Sequence, residues 1–274
     1  MGLPPDDLDA YFRRIGWGGD RRPDAATLRG VHRAHVRSLP FENLDPVRGV
    51  VPSLALGDLV AKLVRGRRGG YCFEQNTLLA GALVALGLGV TRLAARVVLG
   101  GGRVEDRPLT HMVLLVEVPG QPGRPHLADV GFGSPGALLE AIPLAVGEEY
   151  AVGGRRHRLV HVPRRGPLEL WALEFRTGAV WQAQYVFTLA PFEKPDFEVA
   201  NWHIATHPRS PFRSRPRIQH LTPDGHLFLD GRRLVRVRAD GTVTERELTD
   251  EAEARRICDE EFGIDVPEST VLLS

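Results

Sequence analysis

The hydrophobic pattern of the chain changes its period once, at Gly87 and Gly89, and this change restricts the possible folds more than any other feature. Before it, apolar residues recur at three- and four-residue steps, as on one face of a helix. One such run follows the capping candidate Asp24 and ends at Pro40, and another follows Gly70. After it come short aliphatic and β-branched runs bounded by glycine or proline. The sequence therefore predicts a helical first third followed by a β-rich part.

The runs after this change predict strands of a small antiparallel sheet or barrel. They cover residues 93–99, 111–118, 157–162, 168–175 and 180–189. Residues 191–216 are dense in proline, serine, histidine and aromatic side chains and predict a loop-like segment. Asp-Gly pairs at 230–231 and 240–241 predict hairpin turns, and Asp250 with Glu253 predicts the start of a last helix. The expected order is helical, then β, then mixed.

The composition is typical of a globular protein with one to three domains. The 274 residues are 43% hydrophobic, and 35 Lys and Arg face 34 Asp and Glu, which leaves a net charge of +1. This balance gives no electrostatic reason to expect a nucleic acid or an anionic membrane as a partner. The longest mainly apolar stretch, Thr77 to Val90, is too short to span a bilayer, and the acidic N-terminus does not resemble a secretory signal.

The chain has only two cysteines, Cys72 and Cys258, and they lie far apart in the sequence. A disulfide framework is therefore not expected, and a reducing cytoplasm is favoured. Two cysteines are too few for a multi-cysteine zinc site, and the ten histidines form no HExxH pair. An all-histidine or histidine–carboxylate site stays open from the residue counts, but no motif indicates one, and we expect no metal.

Cys72 follows a Gly-Gly-Tyr lead-in and lies at the first turn of a predicted helix. A helix N-terminus presents unpaired N–H groups and the positive end of the dipole, which favour a thiolate and suit an oxyanion. A thiol nucleophile also needs a base that is itself oriented by an acceptor, and His111 and Asp129 are candidates. From the residues alone, Cys72 as a small core residue and Asp129 as a turn former remain open alternatives.

Six short motifs, in this order, resemble the arylamine N-acetyltransferase family. They are YFRRIGW at 11–17, LPFENL at 39–44, RGGYCFEQN at 68–76, TH at 110–111, DVGFG at 129–133 and NWHIATHPRSPF at 201–212. Ala205 stands where the family more often has serine. The motifs span nearly the whole chain, and their combination is specific although no single one is.

The resemblance implies an α+β fold with a cysteine-protease-like triad. Its parts would be an N-terminal helical bundle (1–87), a central antiparallel β-barrel (88–190) and a C-terminal α/β lid (191–274). Cys72 would be the acyl-accepting nucleophile, His111 its base and Asp129 the orienting carboxylate.

The resemblance also implies contacts beside the triad. The cofactor-binding candidates are Thr110, Gly131, Gly133, Thr206 and Ser210. The candidates for the wall of the acceptor pocket are Phe41, Val97 and Phe132. The candidates for charged groups that support the site are Arg14, Glu42 and Arg68. Arg65 and Arg67 are solvated or attract the phosphates of CoA.

The activity implied is transfer of an acetyl group from acetyl-CoA to the nitrogen of arylamines or arylhydrazines, or to the oxygen of aryl hydroxylamines. The mechanism would be ping-pong, through an acetyl-cysteine. Alternatives are an amide (macrolactam) synthase that takes a polyketide chain from a carrier protein, a cysteine hydrolase, and a binding module without activity. The expected partners are an aromatic amine and an acyl-CoA, with no nucleic acid or membrane, for a cytoplasmic monomer or homodimer.

Overall fold

The structure, a computed structural model, describes residues 1–164, 166–222, 225–238 and 242–273. Helices occupy the chain before Gly87, as the hydrophobic period predicts. They are α1 (Pro5–Ile15), α2 (Ala25–Ser38), α3 (Leu44–Val47), α4 (Leu56–Leu59), which continues as a π-helical turn (Val60–Arg65), and α5 (Cys72–Ala85). A two-residue strand, β1 (Phe41–Glu42), lies between α2 and α3.

Helix α2 begins and ends where the sequence signals predict. The Asp24 carboxylate accepts a hydrogen bond from the Thr27 N–H (2.8 Å), which caps the first turn, and Pro40 follows soon after the last residue, Ser38. Helix α5 is buried from Cys72 to Leu83, because its second half is apolar or small around the whole circumference. Helix α5 therefore holds Cys72 inside the protein rather than on its surface.

Eight antiparallel strands form the predicted barrel. They are β2 (Gly89–Val97), β3 (His111–Glu117), β4 (His126–Ala128), β5 (Ile142–Pro143), β6 (Glu149–Val152), β7 (Arg155–Val162), β8 (Leu170–Thr177) and β9 (Val180–Pro191). Their order across the sheet is β5-β4-β3-β2-β9-β8-β7-β6. Only residues 144–148 separate the two outermost strands, β5 and β6, along the chain, and Val146 forms a bridge to Leu159 in β7. The sheet therefore curls into a nearly closed barrel.

The prediction of a loop over residues 191–216 is wrong, because two helices lie there: α6 (Lys194–Thr206) and α7 (Pro211–Ser214). Pro195 sits in the first turn of α6, where a missing N–H costs nothing. The Asp196 carboxylate accepts a hydrogen bond from the Glu193 N–H (2.9 Å) and closes that turn. Two of the prolines that indicated a loop, Pro195 and Pro211, thus mark helix starts.

The C-terminal part is a second sheet covered by a helix. Its strands are β10 (Arg217–Thr222), β11 (Gly225–Asp230), β12 (Arg233–Arg238) and β13 (Val243–Glu247), in the order β1-β10-β11-β12-β13, and α8 (Glu251–Glu260) follows. The hairpin at Asp230-Gly231 is confirmed, since Asp230 pairs with Arg233 across a two-residue turn and Gly231 has a φ of 58°. The predicted turn at Asp240-Gly241 lies outside the described residues. Asp250 caps α8 by accepting from the Glu253 N–H (2.8 Å), as expected.

Strand β1 connects the two halves of the fold. It leaves the helical part directly after Pro40 and pairs with β10, so that Phe41 lies opposite Gln219. Within the described part of the chain, no helix is long and apolar enough to cross a membrane.

Candidate active site

The first turn of α5, the start of β3 and the end of β4 bring Cys72, His111 and Asp129 together. The Asp129 carboxylate lies 2.7 Å from His111 Nε2, and Cys72 lies near enough to the same imidazole to raise its pKa. Cys72 Sγ also lies 3.7 Å from the carbonyl oxygen of Thr110. All three side chains are buried. Asp129 accepts from the Gly131 N–H, as a turn former does, and its other oxygen faces His111, so the two readings of Asp129 are compatible.

The electrostatics of this chain favour a charged imidazole. Burial opposes charge on His111, but the Asp129 carboxylate outweighs it and, with Cys72, raises the pKa of His111 to about 10. Burial likewise opposes charge on Asp129, but His111, Asn76 and the Gly131 N–H hold the pKa of that carboxyl below its ordinary value. The pair is therefore an imidazolium and a carboxylate near neutral pH.

Asn76 fixes the Asp129 carboxylate, and its role was not predicted from the sequence. Its amide donates to Asp129 Oδ1 (2.9 Å) and to the Met112 carbonyl (2.8 Å), and its oxygen accepts from the Val130 N–H (3.0 Å). The Gly131 N–H donates to the same Oδ1 (2.9 Å). The available signal was spacing, because Asn76 lies four residues after Cys72 on the same face of α5.

Gly131 and Gly133 lie where no side chain fits. A Cβ at Gly131 would lie 2.5 Å from the Cα of Cys72, and a Cβ at Gly133 would lie 2.8 Å from the Phe41 ring. The family resemblance implied that these glycines contact the cofactor. In the structure both line the cavity described next, but their missing Cβ atoms make room for protein neighbours.

Cys72 and His111 open on a cavity of about 700 Å³ between the barrel and the C-terminal part. Of the predicted contact residues, those that line it are Phe41, Val97, Thr110, Gly131, Phe132, Gly133 and Ser210. Thr206 is not among the described residues that line it, since its hydroxyl donates to the Trp202 carbonyl (2.7 Å) inside α6. The expectation of a cofactor contact through the Thr206 hydroxyl therefore has no support in the structure.

One wall of the cavity is aromatic. The Phe132 ring lies edge-on to the His111 imidazole, with 5.2 Å between ring centres. The Phe41 ring packs at 5.9 Å against Phe212, a third aromatic residue that was not singled out from the sequence. A flat aromatic ligand thus has stacking partners in the cavity that Cys72 lines.

A buried charged cluster lies behind the N-terminus of α5. Arg68 pairs with Glu42 (2.7 Å) and Asp45 (2.9 Å), and Lys62 pairs with Asp45 (2.6 Å) and Glu74 (2.6 Å). Burial raises the pKa of Glu74 to about 7, although the Lys62 ammonium opposes this. Glu42 and Glu74 are each 1% exposed, so the cluster is structural rather than a solvated ion pair.

The expectation that Arg14 joins these charged groups is wrong. Its guanidinium instead donates to the carbonyls of Ser38 (3.1 Å) and Leu63 (3.2 Å). Arg14 lies in the last turn of α1, which packs against the π-helical turn, so backbone carbonyls at the end of α2 and in that turn are its nearest acceptors. It still supports the structure, but through hydrogen bonds to the backbone.

The basic run before Cys72 does not face the cavity. Arg65 pairs with Asp7, and Arg67 pairs with Asp259 (2.8 Å) and Asp265 (3.1 Å). The arginines that line the cavity are instead Arg107, Arg209 and Arg217. Among the described residues, no group of three or more His, Cys, Asp or Glu is placed to hold a metal ion.

A buried cysteine at a helix start, paired with an oriented histidine, is the arrangement of enzymes that form a covalent intermediate on sulfur. The N-acetyltransferase family model matches residues 24–271. The chain is 41% identical over 264 residues to the arylamine N-acetyltransferase of Mycolicibacterium smegmatis, covering 95% of this chain and 92% of the relative. The chain belongs to the arylamine N-acetyltransferase family, which confirms the predicted enzyme class.

Solved structures confirm the α+β fold. The arylamine N-acetyltransferase of Nocardia farcinica matches with a TM-score of 0.87 at 41% identity, covering 95% of this chain and 90% of that one. The Mycobacterium marinum arylamine N-acetyltransferase, solved in complex with CoA, matches with a TM-score of 0.86 at 36% identity, covering 94% and 92%.

Proposed function

We propose that this enzyme transfers an acetyl group from acetyl-CoA to an aromatic amine through an acetyl group carried on Cys72. The observation that carries the proposal is the buried group of three side chains, Cys72, His111 and Asp129. Cys72 and His111 line a cavity with an aromatic wall. The CoA complex of the Mycobacterium marinum relative supports CoA as the carrier of the acyl group.

In the first half-reaction, the Cys72 thiolate attacks the thioester carbonyl carbon of acetyl-CoA. The unpaired N–H groups at the start of α5 stabilise the negative oxygen that forms. When the intermediate collapses, the bond from carbon to the CoA sulfur breaks, and the His111 imidazolium gives its proton to that sulfur. The products are acetyl-Cys72, neutral His111 and free CoA.

In the second half-reaction, the amine nitrogen attacks the carbonyl carbon of acetyl-Cys72. Neutral His111 accepts a proton from this nitrogen, and the bond from carbon to the Cys72 sulfur breaks. The amide leaves, and the thiolate and imidazolium are restored. Aromatic amines suit this step because they are neutral nucleophiles near neutral pH, and the rings of Phe41 and Phe132 are placed to stack on them.

The activity is tested by incubating the purified enzyme with acetyl-CoA and an arylamine while CoA release and the mass of the amine are followed. We expect each CoA released to be matched by one acetylated amine, and release without amine to stop after one equivalent. Continued release of CoA and acetate without amine would indicate a cysteine hydrolase. No release and no acetyl-enzyme would contradict the proposal and leave the carrier-protein alternative, which needs its own donor.

Arg107 and Arg209 are proposed to hold the phosphates of CoA. They line the cavity from two separate segments, one in the loop after β2 and the other between α6 and α7, and a guanidinium matches the geometry of phosphate oxygens. Thr110 and Ser210 line the same cavity and remain predicted CoA contacts.

Arg209→Gln is expected to raise the KM for acetyl-CoA roughly tenfold, because a hydrogen bond to a charged group is lost. The KM for the amine should not change. The matched control is Arg213→Gln, because the Arg213 guanidinium donates to the Thr206 carbonyl (2.8 Å). Equal effects of the two substitutions in steady-state kinetics would remove Arg209 from the CoA site.

The location and assembly of the protein are also proposals. Cys72 and Cys258 are both free and buried, which supports a reducing cytoplasm. The substrates are small molecules, and the assembly is a monomer or a homodimer.

A further inference from the structure

A single side-chain amide joins the C-terminal sheet to the segment that carries Phe132. Gln219 in β10 is buried, and its Nε2 donates to the carbonyl oxygen of Gly133 (2.5 Å). Within the C-terminal sheet, Gln219 lies opposite Phe41 of the neighbouring strand β1. The amide therefore lies where the C-terminal sheet meets the aromatic wall of the cavity.

The Gly133 carbonyl sets the direction of this amide, and His226 in β11 is placed to bond to its other end. The Nε2 of His226 lies 3.1 Å from Gln219 Oε1, and burial lowers the pKa of His226 to about 3, so the ring is neutral. If the amide were turned over, its oxygen would face the Gly133 carbonyl at 2.5 Å with no proton between them. The Gln219 oxygen therefore accepts from His226, and its NH₂ group donates to Gly133.

A hydrogen bond to the Gly133 carbonyl holds a peptide that adjoins both rings of the aromatic wall. Gly133 follows Phe132, whose ring contacts His111, and the Phe41 ring leaves no room for a side chain at 133. A shift of this peptide thus moves Phe132 directly and presses on the Phe41 ring, and both rings line the cavity with Cys72.

We propose that Gln219 is a positioning residue for the acceptor side of the site, which holds the Phe132–Gly133 backbone so that Phe41 and Phe132 receive the aromatic amine. This inference rests on the proposed function. Gln219 itself lines the cavity, but its amide nitrogen and oxygen are bonded to Gly133 and His226. It therefore acts through the Gly133 peptide, and it affects the second half-reaction rather than the attack of Cys72 on acetyl-CoA.

Gln219→Met tests this proposal, because methionine fills similar space but cannot donate to the Gly133 carbonyl. We expect the KM for the arylamine to rise roughly fivefold, because a change of this size corresponds to the loss of one neutral hydrogen bond. The rate constant for acetylation of Cys72, measured by rapid quench and intact mass without amine, should stay within about twofold, since that step does not use the amine wall.

Gln219→Glu separates the hydrogen bond from packing. Glutamate keeps the shape and can accept from His226, but its second carboxylate oxygen faces the Gly133 carbonyl as an acceptor. The amine KM should therefore rise more than in Gln219→Met. A role in packing alone predicts the reverse order, because glutamate is the closer match in shape. Thermal melting identifies a variant that does not fold.

The matched control is Gln184→Met. Gln184 in β9 is also buried, and its Nε2 donates to the carbonyl of Gly136 (2.6 Å) in the same segment. This hydrogen bond is donated by a barrel strand and does not involve the C-terminal sheet. In the variant, the Gly136 carbonyl still accepts a hydrogen bond from His157 (2.8 Å). We expect no change in the amine KM in this variant.

The outcomes separate this inference from the proposed function. If the wild type acetylates Cys72 and transfers the group, but Gln219→Met leaves the amine KM unchanged or slows Cys72 acetylation to the same extent, the inference alone is wrong. If the wild type forms no acetyl-enzyme, the proposed function is wrong as well.

Discussion

Cys72→Ser is expected to abolish acyl transfer. The serine hydroxyl has nearly the shape of the thiol, but it gives up its proton far less readily and needs neutral His111 as a base, whereas the Asp129 carboxylate raises the pKa of His111 and favours its charged form. An imidazolium beside a hydroxyl has no capacity to act as its base. The site that suits a thiolate therefore does not suit serine, and turnover should fall below detection.

The control is Cys258→Ser, since Cys258 is the other cysteine of the chain. It is buried in the core between α8 and the C-terminal sheet, where burial raises the pKa of its thiol to about 12. Intact-mass spectrometry after addition of acetyl-CoA without amine should show one acetyl group on the wild type and on Cys258→Ser. An acetyl group that remains on the Cys72 variant would disprove the assignment of the nucleophile.

The sequence was sufficient for the parts of the site that depend on local signals. Cys72 at a glycine-led helix start is such a signal, and the spacing of the family motifs placed His111 and Asp129. Asp45, Lys62 and Glu74 were missed, because charge pairing between residues far apart in the sequence depends on how α3, the π-helical turn and α5 pack. Gln219 was missed for the same reason, since its partner Gly133 lies far away in the sequence, in the segment between β4 and β5.

The C-terminal part was the least predictable from local pattern. Prolines at 195 and 211 look like loop residues in the sequence but lie in the first turns of α6 and α7. Strand β1 pairs with β10 although it precedes it by most of the chain, and such pairing leaves no local signature. The division into 1–87, 88–190 and 191–274 stays a prediction, and β1 shows that the last sheet includes residues from the first part.

Asp129→Asn is expected to leave the fold intact and to lower turnover by several orders of magnitude; the equivalent change in a serine triad costs about 10⁴-fold. The asparagine oxygen must take the place of Oδ1, because Oδ1 accepts from Asn76 and the Gly131 N–H. Its NH₂ group then faces His111 Nε2, where the carboxylate oxygen was. His111 becomes an acceptor at Nε2, so the neutral ring carries its proton on the nitrogen toward Cys72.

This wrong tautomer has two consequences that can be measured. His111 no longer accepts the proton of the amine, so kcat falls, and the imidazolium that pairs with Cys72 is lost, so iodoacetamide labels the thiol more slowly near neutral pH. The matched control is Asp230→Asn, the same change at another cavity-lining carboxylate, which pairs with Arg215 and should have a small effect. Melting temperatures must accompany the kinetics. Turnover near that of the wild type in a folded Asp129→Asn protein would leave a Cys72–His111 dyad without an orienting carboxylate.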